Sequence, residues 1–517
     1  MFLPIFSLLM PLAVLLTALL FIARPGRRPG HLPRVAEAAT LVALGIAGAN
    51  LLQLFAAGSL SLAMANGLVL LRLDAISATM AVLVAFVGWV VVRYSRTYLD
   101  GEAREGAFHG WMLVALAAVL TLVQAGSMVV LIAAFVAVGL VMRQLLLFYS
   151  ERPEARRAAA KFTLVWGAGD VALILAALLL VSAFGTLNVA ALNEAAAGGL
   201  PIVAQIAVAL LVLSAAFKTA CFPLHGWLTE VMEAPTPVSA LLHAGIINAG
   251  GVLLIVTSGL VEASPGAMAA LVLLGGFTAL FGSAVMLTQS AVKTALAWST
   301  VAQMGFMLLQ CGLGLWPLAL LHIVAHSIYK AHAFLASGCA VQAVVQVRLP
   351  GAIAVPNLRA VGRSFALALL LYAVVALGFG WAVGPKSAQS LALGAILIFG
   401  VAYLVAQGLA DAAPRALTLR TARASLGAAV AYFFFQTLAK LLWGPHLPAA
   451  PVPGPLEWAM IVLAVASFGL VAVAQALFPL WAHHPATAGL RVHIANGLYL
   501  NALLDRAIGG LKTGKSN

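Results

Sequence analysis

The sequence is poor in charged residues and in cysteine. Charged residues make up 8% of the 517 positions, and Asp and Glu together number only 15. A soluble protein of this length could not cover its surface with so few charges. The three cysteines stand far apart in apolar surroundings, at Cys221, Cys311 and Cys339, and none belongs to a CxxC pair. This pattern argues against a disulfide framework and against a cysteine-held metal or iron–sulfur centre.

Long apolar runs dominate the chain instead. Hydrophobic residues make up 63% of it, and repeated runs of roughly 20 residues are typical of membrane helices rather than of barrel strands. We therefore predict an all-α polytopic membrane protein with about 14–15 transmembrane helices and no soluble catalytic domain. The predicted segments are 2–23, 36–57, 72–93, 107–123, 127–149, 161–183, 201–224, 237–258, 267–288, 293–312, 316–345, 363–384, 388–410, 425–443 and 457–479.

Basic residues are concentrated in every second connector. The connectors rich in Lys and Arg are 24–34, 93–104, 150–161, 346–363, 411–423 and the C-terminal tail. Those without Lys or Arg are 58–71, 184–200, 259–266 and 444–456. Under the positive-inside rule, this alternation predicts an N-terminus outside and a C-terminus in the cytoplasm. The net charge of +13 is thereby explained by topology, and no nucleic-acid partner is expected.

Two groups of five segments suggest an internal repeat. The first group is 107–258 and the second is 267–410. Because each group has an odd number of spans, the second copy would be inverted in the membrane. Residues 1–106 would then be N-terminal flanking helices, and residues 411–517 would be C-terminal flanking helices followed by a cytoplasmic tail.

Lys218 and Lys330 lie inside long apolar stretches. A charge in hydrocarbon costs ~2.5–3.5 kcal/mol on insertion scales, so such residues usually serve a function. His322, His326 and Lys330 recur at i, i+4 and i+8, so they share one helix face over roughly 12 Å of depth. Lysine and histidine can release a proton, whereas arginine stays protonated. The row therefore predicts a proton path.

The segment 218–251 predicts a broken helix. Its three prolines interrupt a helix, and a second helix is expected to restart near Pro237, capped by Thr236 or Ser239. Interrupted helices at membrane depth are tolerated where they line a hydrated cavity. His243 would lie about two turns into the restarted helix.

Other interpretations of these residues stay open at the sequence level. Lys218 could extend from a segment end to the membrane interface. His243 could be a hydrogen-bonded core histidine. His322 and His326 could hold a metal, although no carboxylate or cysteine accompanies them.

Asp170 is the one acidic residue well inside a predicted segment. It has no evident structural role beyond pairing with a base, so it is a candidate counter-ion for Lys218 or for Arg143.

Several motifs resemble the proton-conducting antiporter-like family, which includes the L, M and N subunits of respiratory complex I and the large Mrp antiporter subunits. The resemblance covers roughly residues 70–345. The motifs are LDA at 73–75, GD at 169–170, FGTLN at 184–188, APTPVSA at 234–240 and the HxxxHxxxK row at 322–330. The resemblance implies proton-path roles for Lys218, His243, His322, His326 and Lys330, and it suggests Lys386 for the lysine of the family's C-terminal half. Asp170 would bias Lys218.

One position departs from that family. A glutamate in the fifth span usually pairs with the first lysine, and Val136 stands at that place. The departure argues against complex-I-like or Mrp-like coupling through the first half of the chain.

Four further stretches resemble the membrane-subunit family of the DAB inorganic-carbon-accumulation complex. They are FYSERP at 148–153, HAGIINAGG at 243–251, AHSIYKAHAFL at 325–335 and VHIANGLYLN at 492–501. The resemblance implies a bacterial inner membrane and a large cytoplasmic zinc protein, similar to a β-carbonic anhydrase (DabA type), as the partner. Flow of protons or sodium would drive that partner to convert CO2 to bicarbonate. Zinc is expected only in the partner. The tail 483–506 is expected to bind that partner protein.

The alternative is a subunit-L-like part of NADH-quinone oxidoreductase or an Mrp-type sodium/proton antiporter. In either case the chain is expected to carry ions and not to catalyse a reaction, with no cofactor or metal of its own.

Overall fold

The computed structural model describes residues 5–338, 358–408, 415–477, 481 and 484–507, and Cys339 lies outside them. The chain is nearly all helical there, as predicted. The helices before the first proline-rich break are α1 (Ile5–Leu20), α2 (Leu32–Ala57), α3 (Ala75–Tyr98), α4 (Glu105–Val123), α5 (Met128–Leu146), α6 (Pro153–Phe184), α7 (Val189–Ala196) and α8 (Ile202–Lys218). The central helices are α9 (Gly226–Thr229), α10 (Thr236–Ala244), α11 (Ala249–Val256), α12 (Ser258–Glu262), α13 (Pro265–Met286), α14 (Val292–Gly312) and α15 (Trp316–Leu335). The C-terminal helices are α16 (Leu358–Val383), α17 (Ala388–Gly408), α18 (Arg415–Trp443), α19 (Pro455–Ala476), α20 (Ala488–Ala495) and α21 (Leu500–Ala507).

Each predicted segment overlaps one of these helices or, for 237–258, the pair α10 and α11. The parts of four segments at 2–4, 339–345, 409–410 and 478–479 lie outside the described residues. By length and composition, 11 helices of the described residues could cross a membrane, and three shorter apolar helices accompany them. This count is lower than the fifteen spans predicted. Helix α8 is only 17 residues long because it ends at Lys218, and α14 carries several polar residues, which lower its hydropathy.

The broken helix α10–α11 lies at the centre of the bundle. Of an apolar 18-residue window within Thr236–Val256, 94% is buried, whereas only 11% of the corresponding window in α16 is buried. Helix α16 exposes large apolar side chains such as Leu377 and Trp381, a surface suited to lipid tails. The polar groups of α10 and α11 are therefore enclosed by protein, where a helix break can be tolerated.

The predicted break is present, but its caps differ from the prediction. Helix α8 ends at Lys218, and α10 begins at Thr236 with no side-chain hydrogen bond at its N-cap. The hydroxyl of Thr236 instead contacts Tyr98 and accepts a hydrogen bond from Lys293. The hydroxyl of Ser239 is buried and makes no hydrogen bond to any described residue. Capping by Thr236 or Ser239 is therefore wrong, because tertiary contacts take the threonine hydroxyl.

Helices α13 and α14 pack backbone against backbone through glycine. A Cβ added at Gly275 would lie 2.5 Å from the nitrogen of Leu309 and 2.6 Å from the carbonyl of Gly305. A Cβ added at Gly305 would lie 2.5 Å from the nitrogen of Ala279. Small residues allow such close approach between membrane helices, and here they hold the polar face of α14 in place.

A short antiparallel hairpin joins α2 to α3. Its strands are β1 (Leu60–Ala63) and β2 (Val69–Leu73). Asn188, in the connector after α6, accepts a hydrogen bond from the nitrogen of Val69 and donates one to the carbonyl of Gly67. Two connectors without Lys or Arg thus meet at one end of the bundle. The inverted relation between 107–258 and 267–410, and the flanking roles of 1–106 and 411–517, stay predictions.

Candidate functional site: buried lysines and histidines

Lys218 and Asp170 form an ion pair inside the bundle. Lys218 ends α8, Asp170 lies in α6, and Nζ of the lysine is 2.5 Å from Oδ1 of the aspartate. The lysine side chain is fully buried, and the aspartate side chain is 13% exposed. The interpretation of Lys218 as an interfacial anchor is therefore wrong. Of the two bases considered for Asp170, the structure selects Lys218.

Two aromatic rings complete the surroundings of Lys218. Its Nζ lies 4.2 Å from the centre of the Trp166 ring and 4.4 Å from that of Phe135. Ring faces attract a cation because of their quadrupole. Val136 follows Phe135 in α5, so this part of α5 presents a π face rather than a carboxylate. Within the described residues, Asp170 is the one carboxylate paired with Lys218.

His326 joins two helices through its two ring nitrogens. Its Nε2 is 3.0 Å from the backbone oxygen of His243 in α10, and its Nδ1 is 2.6 Å from Oε1 of Gln303 in α14. The carbonyl of His243 can accept this bond because α10 ends at Ala244, which removes the usual helical donor. The helix break thus supplies a backbone acceptor to a titratable side chain.

The Gln303 amide suits His326 in either protonation state. Nε2–H of the ring donates to the carbonyl of His243, so Nδ1 of a neutral ring must accept, and the amide must present its NH2 group. When the ring carries a second proton, Nδ1 donates and the amide oxygen becomes its partner. Rotating the Gln303 amide group by half a turn exchanges its NH2 group and its oxygen, and so converts one arrangement into the other. A proton can therefore bind or leave Nδ1 with the hydrogen bond preserved.

Lys330 lies one turn further along α15 and is fully buried. Its Nζ donates to the carbonyl of Leu296, at 3.1 Å, and to the hydroxyl of Ser299. Within the described residues, no carboxylate pairs with it. The serine hydroxyl can accept from an ammonium or donate to a neutral amine, so this pocket also suits both protonation states.

His243 and His322 complete this group. Nδ1 of His243 is 3.1 Å from Oγ1 of Thr300, and its ring stacks on Phe334. Its Nε2 is buried and has no hydrogen-bond partner in the part of the chain that the structure describes. The ring of His322 lies 5.9 Å from that of His326, centre to centre. The one-face arrangement predicted for the α15 row is thus present. Among the described residues, no cluster of three or more His, Cys, Asp or Glu could hold a metal ion.

The sequence-based predictions missed the contribution of α14. The partners of the titratable groups on this helix are Leu296, Ser299, Thr300 and Gln303. They recur at i, i+3, i+4 and i+7 and therefore share one helix face. The available signal was the recurrence of polar residues at helical spacing inside an apolar run.

The predicted residues fall into three groups. Asp170 and Lys218 form the first, the two-helix set of His243, His322, His326 and Lys330 forms the second, and Lys386 stands alone. Lys386 lies in the connector between α16 and α17, where its Nζ is 3.3 Å from Oγ1 of Thr437. Within the residues that the structure describes, no hydrogen bond joins one group to another.

A cavity of about 650 Å³ lies beside the second group. Its wall includes His322, His326, Gln303 and Gln310, together with apolar side chains of α17 and α18. The side-chain oxygen of Gln310 is buried and has no hydrogen-bond partner within the described ranges. This space is large enough to admit water next to both histidines.

A second buried lysine cluster was also missed. Lys161 in α6 is fully buried and contacts Glu230, Asp505 and Asn501. Its Nζ is 2.5 Å from Oδ1 of Asp505 in α21. The tail expected to dock a soluble partner therefore also binds back onto the bundle. The signal was weak because Lys161 sits in a basic connector and its partners are remote in sequence.

Comparison with known families identifies two matching regions. Residues 125–384 match the transmembrane family described as NADH:quinone oxidoreductase/Mrp antiporter. Residues 59–109 match the N-terminal family of chain 5 of NADH-ubiquinone oxidoreductase, complex I. Both the Lys218 group and the His326 group lie within the first region.

The chain is similar to curated proteins of two kinds. It is 35% identical over 457 residues to the probable inorganic carbon transporter subunit DabB2 of Halothiobacillus neapolitanus, which covers 87% of this chain and 82% of that protein. It is 44% identical over 281 residues to the probable inorganic carbon transporter subunit DabB of Hydrogenovibrio crunogenus, which covers 54% of each chain. It is 32% identical over 452 residues to NADH-quinone oxidoreductase subunit L of Mycobacterium tuberculosis, which covers 84% of this chain and 69% of that one.

Two solved complexes contain chains of similar fold. A chain of the Mrp complex from Dietzia sp. superposes with a TM-score of 0.60 at 24% identity, over 97% of this chain and 59% of that chain. A chain of the archaeal membrane-bound sulfane sulfur reductase superposes with a TM-score of 0.58 at 18% identity, over 96% of this chain and 99% of that chain. The protein therefore has the multi-pass helical fold of these membrane subunits.

Proposed function

The chain belongs to the NADH:quinone oxidoreductase/Mrp antiporter family of membrane subunits, and we propose that it conducts protons to energise inorganic carbon uptake. In this proposal it is the membrane subunit of a complex that converts CO2 to bicarbonate. It lies in the bacterial inner membrane with its N-terminus outside and its C-terminus in the cytoplasm. The similarity to DabB2 over 87% of the chain supports the carbon role.

One observation carries proton conduction more than any other. Lys330 is fully buried, and its partners are a carbonyl and a hydroxyl, with no carboxylate among the described residues. Burying a permanent charge without a counter-ion is costly. An amine that can release its proton to a neighbour avoids that cost for part of each cycle. His326, one turn away and held by an amide that suits both its states, is the natural exchange partner.

The path has two proton-carrying stations and an outlying lysine. Asp170 and Lys218 form the first station, and the His243, His322, His326 and Lys330 group forms the second, with the 650 Å³ cavity beside it. Water bridges the gaps between stations. Lys386 serves at the far end of the second half.

The energetics of this coupling are adequate. One charge moving through ~100 mV supplies ~2.3 kcal/mol. At ~1.4 kcal/mol per tenfold, one proton supports a bicarbonate-to-CO2 disequilibrium of roughly 50-fold. The hydration chemistry itself would belong to a large cytoplasmic zinc protein of the β-carbonic anhydrase kind, whose zinc would activate water toward CO2. This chain supplies the ion path and the docking surface, and no catalytic group.

A second candidate function is a proton-translocating subunit of NADH-quinone oxidoreductase. The alignment of subunit L of Mycobacterium tuberculosis to 84% of the chain favours it. The presence of Val136 in place of a family glutamate speaks against complex-I-like coupling in the first half.

Purification from the native membrane separates the two candidates. The affinity-tagged full chain is expected to retain one large soluble protein that contains zinc. Recovery of several hydrophobic antiporter-like subunits instead would establish the second candidate.

Growth in air tests the carbon role directly. The chain and its soluble partner, expressed in a bacterium that lacks carbonic anhydrase, should restore growth at ambient CO2. Lys330→Ala should abolish the rescue, whereas Ile328→Ala, an exposed position on the same helix, should not. Full rescue by Lys330→Ala would contradict the proposal.

A further inference from the structure

A second cavity, of about 420 Å³, lies at the far end of α18 from its basic N-terminus. Its wall combines the start of α17, the last turns of α18 and the following connector. Lys386 and Lys440 both line it, together with Ser387, Ser390 and Gln436. No Asp or Glu is among the residues that line it. Lys386 is half-buried and Lys440 is exposed, so the cavity is a partly open pocket with two positive charges and, among the described residues, no lining carboxylate.

Neither lysine has an acidic partner. Among the described residues, no ion pair involves Lys386 or Lys440, and Lys386 contacts only the hydroxyl of Thr437. Burial, and then the nearby charge of Lys440, lower the pKa of Lys386. Two like charges that share a cavity repel each other, so an anion between them would be stabilised by both.

The cavity also offers an acceptor that lacks a donor. The side-chain oxygen of Gln436 is buried and has no hydrogen-bond donor among the described residues, and the residue is only 7% exposed. A buried carbonyl oxygen that receives no hydrogen bond is unfavourable, because it has lost its hydrogen bonds to water. A ligand with one hydroxyl group could satisfy it. The hydroxyls of Ser387 and Ser390, 2.9 Å apart, add donors that can turn toward an anion.

We propose that this cavity binds a small oxyanion with one negative charge and one hydroxyl group, of which bicarbonate is the simplest example. Its charged oxygens lie between Lys386 and Lys440, and its hydroxyl donates to the oxygen of Gln436. The site shares Lys386 with the proposed proton path, but anion binding needs only the charges and hydrogen-bonding groups of the cavity wall.

The position of the cavity indicates which side the anion comes from. The connector 444–456, which contributes to its wall, contains no Lys or Arg. Under the positive-inside rule such a connector lies outside the cytoplasm. The anion would therefore enter from the extracytoplasmic side.

Binding can be measured on the full chain, purified alone and reconstituted in neutral phosphatidylcholine nanodiscs. Exchange with a slowly tumbling protein broadens the ¹³C resonance of labelled bicarbonate, and a titration of that linewidth gives a Kd. Lys440→Gln removes one charge-assisted contact, so we expect binding at least about tenfold weaker. Lys440→Arg keeps the charge and should keep most of the affinity.

A control variant guards against nonspecific attraction of anions to a basic protein. Arg34→Gln removes one exposed charge from α2. Glu37, one turn from Arg34 along α2, pairs with Arg96 at the C-terminal end of α3. Trp443, near Lys440, contacts Thr79 at the N-terminal end of α3. The control thus lies near the opposite end of α3 and should leave the Kd unchanged. Equal losses in Lys440→Gln and Arg34→Gln would overturn the site.

The hydroxyl requirement is tested with nitrate, which has the shape and charge of bicarbonate but no hydrogen. Bicarbonate should bind more tightly than nitrate to the unaltered chain, and Gln436→Leu should abolish that preference. Thermal melting of each variant verifies that it is folded. Equal affinity for both anions, or displacement of bicarbonate by phosphatidylglycerol in the nanodisc, would contradict the proposal and identify a general anion or lipid-phosphate site.

Discussion

Asp505 in α21 lies 2.5 Å from Nζ of the fully buried Lys161 in α6. Glu230, in the interrupted region between α8 and α10, contacts the same lysine. Asp170, nine residues further along α6, pairs with Lys218. At ~1.5 Å per residue, Lys161 and Asp170 are about 13 Å apart along the helix. The C-terminal tail is therefore attached to the helix that carries the counter-ion of the first buried lysine, so a partner that moves the tail would act on the proposed ion path.

The Lys161 cluster should stabilise the folded chain. Lys161→Met leaves Glu230 and Asp505 close together with no cation, a loss of about 3–5 kcal/mol for a buried pair broken on one side. Asp505→Asn should cost less, because Glu230 still pairs with Lys161. Thermal melting in detergent should show a decrease on the order of 5 °C for Lys161→Met. An unchanged melting temperature for both variants would mean that the tail is not held by this cluster.

Asp170→Asn should slow proton flux while the chain still folds. The substitution removes the charge that pairs with Lys218 and keeps the shape of the side chain. We expect flux into liposomes, followed with an internal pH dye under an imposed potential, to fall by about tenfold or more. Asp100→Asn is the matched control, because Asp100 makes only an exposed surface pair with Arg28. Equal flux in the two variants would rule out a role for the buried pair.

Lys330→Arg separates charge from proton release. Arginine keeps the positive charge but does not give up its proton, so flux through Lys330→Arg should be as low as through Lys330→Met. The same liposome measurement applies to both variants. Flux at the unaltered rate in Lys330→Arg would show that residue 330 supplies only a fixed charge.

Gln303→Glu should trap the proton on His326. A carboxylate beside Nδ1 favours the imidazolium, whereas the present amide accommodates both forms. We expect flux to decrease by at least about tenfold, with the melting temperature kept or raised. Gln303→Met removes the hydrogen bond without adding charge, and it should reduce flux less than Gln303→Glu does. The reverse order would contradict the exchange role assigned to the amide.

Gly305→Ala should destabilise the α13–α14 contact. The added Cβ would lie 2.5 Å from the backbone nitrogen of Ala279, and overpacking of this kind costs about 1–3 kcal/mol. Gly167→Ala is the control, since a Cβ there meets nothing within 4 Å and alanine favours a helix by about 0.5–1 kcal/mol. Melting temperatures should move in opposite directions, and a shared direction would show that the close contact is not required.

The sequence predicts the helices and the buried charges because both follow from local rules. Apolar length sets the spans, prolines set the break between α8 and α10, and the spacing of His322, His326 and Lys330 sets their common face. The row is present, and so is the ion pair of Lys218 with Asp170. The helices, the break and the common face each depend on residues within one segment. The ion pair could be predicted because acidic residues inside the segments are rare, so Lys218 had few possible partners.

The partners of those groups could not be predicted in the same way. Gln303 and Ser299 reach His326 and Lys330 across a helix interface whose geometry depends on glycine contacts between α13 and α14. The contact of Lys161 with Asp505 joins distant parts of the chain, and no local sequence pattern predicts it. The capping of α10 was wrong for the same reason, because a distant lysine and tyrosine occupy the hydroxyl of Thr236.

The attachment of α21 to α6 has a consequence for biogenesis. Helix α6 enters the membrane early in translation, whereas Asp505 leaves the ribosome long afterwards. Until then Glu230 is the one acidic partner that Lys161 has among the described residues, and the nascent subunit is held together less firmly. Some quality-control proteases remove loosely assembled membrane proteins. Such proteases would therefore degrade chains that lack α21 in preference to chains whose synthesis has reached the end of α21.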